Sequence, residues 1–147
     1  MNPDQMAEHI RRLFPGTVAL EGAGSFFLVH DPDGDLPDAE KMPFATVVTS
    51  DAYDQASDLA RPGVYRLNIG LPRDTYLSMF GSPRDDERRY DFRALDDVMP
   101  HPVYSGQYWI CILDPGDGRL ELLDRLLREA RDLAVRKYVH RRARRGH

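Results

Sequence analysis

Tyr108-Trp109-Ile110-Cys111-Ile112-Leu113 is followed by Asp114-Pro115-Gly116-Asp117-Gly118, and then by Leu120, Leu123, Leu126, Leu127, Ala130, Leu133 and Ala134 at helical spacing. The first segment has the length and the aromatic and β-branched content of a buried strand. Asp, Pro and Gly in the second make a strong turn. The third places its leucines on one face, with Glu121, Asp124, Arg125, Arg128, Glu129, Arg131 and Asp132 on the other. Such a helix must bury its apolar stripe against a sheet, so this strand, turn and helix fix the class as α+β. Tyr108, Ile110 and Ile112 alternate with Trp109, Cys111 and Leu113, so the strand is apolar on both parities and needs cover on both faces.

Working outward, Val64–Gly70 alternates cleanly, with Tyr65, Leu67 and Ile69 opposite Val64, Arg66 and Asn68. Thr17–Glu21, Ser25–His30 and Phe44–Ser50 also read as strands, which makes about five in all. Asn2-Pro3-Asp4-Gln5 is a helix start, because Asn caps, Pro suits the first turn and Gln sits three residues after the cap. Met6, Ile10, Leu13 and Phe14 then form an apolar face that Pro15-Gly16 ends. A second short helix opens at Pro72 and stops at Gly81, and Ser82–Asp91 reads as an exposed, mobile, charged loop. Short links favour hairpins, so the expected architecture is a two-layer sandwich. It is a single α+β domain over 1–147, an antiparallel meander with the N- and C-terminal helices on one face.

Composition bounds the function. No apolar run approaches the ~20 residues of a membrane helix, and Met1–Arg12 is too polar for a secretory signal. The single Cys sits in an apolar run, which suits a reducing, cytoplasmic setting. Six of the 20 basic residues lie in the tail 136–147 and no acid follows Asp132. Residues 1–135 therefore carry 14 basic against 24 acidic side chains, net −10. An acidic body argues against nucleic-acid duplex binding, which needs a broad basic face. The tail reads as a solvated helix end or as a contact for an acidic partner.

The order helix, four strands, helix, strand and long C-terminal helix resembles the MmcQ/YjbR-like family. That likeness implies a frataxin-type (CyaY-like) sandwich. Ser25-Phe26-Phe27, Asp31-Pro32-Asp33-Gly34, Pro43–Thr49, Arg61–Ile69 and Met99-Pro100-His101-Pro102-Val103-Tyr104 resemble a bacterial family, domain of unknown function 6194. The resemblance spans most of residues 25–140 and implies no particular activity.

Asp31-Pro32-Asp33-Gly34-Asp35 fails as a calcium loop, because the positions that need Gly and Glu hold Leu36 and Met42. No phosphate loop, nucleophile elbow or paired-Cys spacing occurs, so neither metal nor cofactor is expected. Arg66 and Asn68 lie on the strand parity away from the helices. An Arg and an Asn floored by a sheet and walled by aromatics is how small-molecule sites are built. The alternative is that Arg66 pairs with a carboxylate of the 51–58 segment while a second copy of the chain covers the apolar face. His101 is held between two prolines and is a candidate acid, base or orienting donor. Its alternative is a brace for the turn.

The expected function is thus small-molecule binding, with catalysis in specialised metabolism as its extension and a pocket on the helix-free face. His101 and Tyr104 are the catalytic candidates, and Arg66, Asn68, Trp109, Tyr53 and Asp31 the ligand-binding ones. The competing function is a non-catalytic interaction or nucleic-acid-associated module that uses the apolar face and the basic tail.

Overall fold

The computed structural model describes residues 1–82 and 90–145, the side chain of Arg145 excepted. Most of the segment Ser82–Asp91, read above as a mobile loop, lies outside the described residues, as do Gly146 and His147. Helix α1 (Pro3–Leu13) starts as its sequence requires. Asn2 Oδ1 accepts from the Gln5 amide at 2.8 Å, and Gln5 Oε1 accepts from the Asn2 amide at 2.9 Å. Two orphan donors of the first turn are thereby satisfied.

Strands β1 (Thr17–Gly22), β2 (Ser25–His30), β3 (Ala45–Val48) and β4 (Arg66–Gly70) form the expected meander. Helix α2 (Arg73–Phe80) follows, then β5 (Met99–Pro100), β6 (Trp109–Leu113) and α3 (Leu120–Arg145). The sheet order is β1-β2-β3-β4-β6-β5, with every neighbouring pair antiparallel. The sheet therefore has six strands rather than about five, and the meander breaks after β4. The chain crosses to the far edge for β5 and returns to fill the slot between β4 and β5. A two-residue strand containing Pro carries little periodic signal, and Pro100 is tolerated there because β5 is an edge. The slot also explains why β6 is apolar on both parities: it is flanked by strands on both sides and covered on both faces.

One face carries all three helices. Met6, Ile10 and Phe14 from the α1 region, Tyr76 of α2, and Leu123, Leu126, Leu127 and Ala130 of α3 pack on Leu28, Ala45, Val47, Leu67, Ile69, Ile110 and Ile112. Each fully buried Val, Leu, Ile or Met side chain among them contributes about 1.5–3 kcal/mol by leaving water. The other face is covered by the chain itself. Val48, Leu59, Met99, Cys111 and Leu113 form a second cluster, with Val64, Tyr90, Phe92 and Ala94 packed against it. The apolar second parity is thus shielded by the segments that follow β3 and precede β5.

At 26 residues α3 is about 39 Å long and outruns the sheet. Its end is bound to the acidic turn after β2. The Tyr138 hydroxyl donates to Asp33 at 3.2 Å, Arg142 pairs with Asp33 at 3.4 Å and with Asp35, and the Arg142 guanidinium lies over the Tyr138 ring. Part of the basic tail is therefore engaged within the chain. No helix among the described residues is long and apolar enough to cross a membrane.

Candidate functional site

The register of β3, β4, β6 and β5 aligns Thr46, Asn68, Cys111 and Met99 in one row across the second face. Arg66 lies two residues from Asn68 and shares its face. Its guanidinium is nearly saturated. Nε donates to Asn68 Oδ1 at 2.9 Å, Nη1 to Asp54 Oδ1 at 3.0 Å and Ser57 Oγ at 2.8 Å, and Nη2 to Asp54 Oδ2 at 2.6 Å. Asn68 Nδ2 then donates to Thr46 Oγ1 at 2.9 Å. A bidentate Arg–carboxylate fork with added hydrogen bonds is the arrangement that makes a buried guanidinium tolerable. The carboxylate from the 51–58 segment is Asp54, and hydrogen bonds from Arg66 hold its carboxyl below the usual carboxylate range.

His101 closes this network. It follows β5, and its amide donates to the Trp109 carbonyl at 3.0 Å. Its Nδ1 accepts from the amides of Val103 and Tyr104, each at 3.0 Å. Its Nε2 lies 3.5 Å from Arg66 Nη2, a group that can only donate. Burial, and then the Arg66 charge, push the His101 pKa down to about 3 against the opposing pull of Asp54. His101 therefore stays neutral and braces the 101–104 turn by accepting two backbone amides. Burial likewise pushes the Cys111 thiol up to about 12, so it behaves as a small hydrophobe.

The structure brings Arg66, Asn68 and His101 together, with Tyr104 half-exposed beside the imidazole at 5.0 Å between ring centroids. The expected helix-free face is not open over them: Arg66 is 1% exposed, Asn68 and His101 3%. Arg66 and Asn68 direct their donors into the fold, because the segments on either side of this face fold back over it. Tyr53 lies further along, half-exposed, edge-on to Phe27, with its hydroxyl donating to the Gly22 carbonyl at 3.0 Å. Asp31 is separate from this group. It is buried in the turn after β2, where its carboxylate accepts from the Leu36 amide at 3.3 Å.

Trp109 belongs to a different surface. Gly70 and Trp109 are opposite one another on β4 and β6. A Cβ on Gly70 would lie 2.8 Å from indole Cε2 and Cζ2, so only a glycine lets the ring lie across β4. Tyr108 turns the chain into β6 at φ 68°, a left-handed conformation uncommon for a bulky residue, and its carbonyl is held by the Leu71 amide at 3.1 Å. These residues wall a cleft of about 380 Å³ at the end of the sheet, roofed by the C-terminal half of α3 and closed on one side by residues 36–43. Its volume lies at the lower end of the range of ligand pockets, about 300–1,000 Å³.

His30, at the end of β2, lines this cleft edge-on to Tyr138, and its buried Nδ1 has no hydrogen-bond partner. Burial, reinforced by Arg131, lowers its pKa, so the ring is held toward neutrality. Arg73, Lys137 and Arg141 also line the cleft. Of these residues the sequence singled out Trp109 as a ligand-binding candidate, and Lys137 and Arg141 only as part of the basic tail. The others come from four separated segments, and no spacing rule links them. His30 shows in the sequence only as the end of a strand. Among the described residues, no group of three or more His, Cys, Asp or Glu side chains could hold a metal ion.

Comparison with curated proteins and with solved structures finds no match. A family model described as a family of unknown function matches residues 1–144. The six-stranded antiparallel sheet, the three helices and the cleft at the sheet's end are thus the structure of a chain that belongs to the family of unknown function DUF6194.

Proposed function

We propose that this chain is a small-molecule-binding protein and that its ligand occupies the cleft at the end of the sheet. The observation that carries the reading is the Trp109 wall. The ring is laid across Gly70 at the mouth of a 380 Å³ cleft that combines aromatic and aliphatic sides with a few polar groups. The buried network of Arg66, Asp54, Asn68 and His101 serves this site indirectly. His101 ties the turn after β5 to the Trp109 carbonyl and so fixes the strand that presents the indole. In this reading His101 is an orienting residue that accepts the Val103 and Tyr104 amides, Tyr104 its half-exposed neighbour, and the fold a variant of the CyaY/YjbR-like sandwich with an added edge strand.

Trp109 is the chain's single tryptophan, so its emission reports on the cleft alone. A thermal-shift screen of metabolite-like compounds is expected to yield hits that raise the melting temperature by roughly 5–10 °C at a hundredfold excess over Kd. The same hits should change Trp109 emission and be lost in Ala134→Phe, which fills the cleft. Hits that leave Trp109 emission unchanged and still bind Ala134→Phe would place the ligand elsewhere and sink the reading.

A further inference from the structure

The cleft carries more positive charge than its wall chemistry requires. Arg73 at the start of α2 and Lys137 and Arg141 on α3 all line it. Several cations elsewhere are paired, Arg66 with Asp54, Arg142 with Asp33 and Asp35, Arg11 and Arg12 with Glu8. Arg73 and Lys137 make no ion pair among the described residues, and Arg141 has only a 3.5 Å contact to the Glu40 carbonyl. Among the described residues Glu40 is the one acid lining the cleft. Three cations therefore converge on one apolar concavity in a protein whose first 135 residues carry net charge −10. Converging like charges repel one another, and an anion between them relieves that repulsion and gains attraction at once. A cationic ligand is rejected by the same charges, and a neutral one leaves them uncompensated.

We propose that the ligand class is a small organic anion with a flat apolar body, its charged group held by Arg73, Lys137 and Arg141 and its body against Trp109. This rests on the assignment of the cleft as the ligand site. Trp109, Tyr108 and Leu133 supply flat and aliphatic surface, while Arg73 and Lys137 are exposed at the rim, where a charged head keeps part of its hydration.

The test uses two probes with the same aromatic body: anilinonaphthalene sulfonate, an anion, and phenylnaphthylamine, which lacks the sulfonate. Both brighten when they enter an apolar site. The full chain is expected to bind the anion about tenfold more tightly, the effect of two or three partly screened charge contacts. Arg73→Gln combined with Lys137→Gln should remove that preference and leave the affinity for the neutral probe unchanged. Both variants sit on exposed positions, so folding is not at stake. Ala134→Phe should block both probes. Equal binding of the two probes, with no effect of the charge variants, overturns the anion assignment and leaves the cleft standing. Binding of either probe that survives Ala134→Phe, or no binding at all, overturns the cleft itself.

Discussion

Asp54→Ala tests whether the buried network is a structural brace. Arg66 is fully inside the protein, its side chain 2% exposed, and Asp54 supplies two of its hydrogen bonds from a side chain 15% exposed. Removing the carboxylate leaves a guanidinium with Ser57 and Asn68 as its remaining acceptors. Breaking a buried pair from one side typically costs about 3–5 kcal/mol, because the surviving charge is uncompensated. Some water can reach the Asp54 position, so the lower end, about 3 kcal/mol, is expected out of a typical total of about 5–15. Urea unfolding followed by far-ultraviolet circular dichroism at neutral pH measures it. The double variant Asp54→Ala with Arg66→Met should lose less than the two single losses combined, since both members of the pair are gone. The pH dependence adds a second check. The Asp54 carboxyl is held below its ordinary value of 3.8, so its contribution is complete above that pH and is lost as pH falls through the folded value. An Asp54→Ala protein within about 1 kcal/mol of the parent would refute the buried-charge reasoning.

Three further outcomes follow from other parts of the fold. His101→Gln leaves the Val103 and Tyr104 amides without their imidazole acceptor and should cost about 1–3 kcal/mol. Because the folded pKa is near 3 and the ordinary value 6.5, the parent binds a proton at His101 only when unfolded across that interval. Stability should therefore fall by about 1.4 kcal/mol per pH unit on acidification below pH 6.5, and the glutamine variant should lose this limb. Gly70→Ala forces the indole away from β4 and should destabilise by about 1–3 kcal/mol with a shifted Trp109 emission. Unchanged emission would count against the packing seen at Gly70. Cys111, buried with its thiol raised to about 12, should react with a thiol reagent only as fast as the protein unfolds; rapid labelling of the native protein would contradict that burial.

Much of the architecture is determined locally and was legible for that reason. Asn2 and Gln5 cap α1 through atoms three residues apart, and the leucines of α3 and the alternation of Val64–Gly70 are set by periods of a few residues. The need for cover on both faces of Trp109–Leu113 was likewise visible in its composition. Tertiary structure alone decided what supplies that cover. The chain's own segments do so, which buried Arg66 and Asn68 instead of leaving them as the floor of an open pocket. The pairing of Arg66 with Asp54 was one of two readings that the sequence allowed, and the fold selected it. β5 was invisible because two residues carry no periodicity, and its place beyond β6 is a matter of which edge was vacant. The cleft is the clearest case. His30, Gly70, Arg73, Trp109 and Lys137 are separated by up to 107 residues and meet only because α3 outruns the sheet and is tied by Tyr138 and Arg142 to the acidic turn after β2. Sequence patterns report contacts made within a few turns or strands, whereas a site assembled at the end of a sheet depends on where distant elements stop.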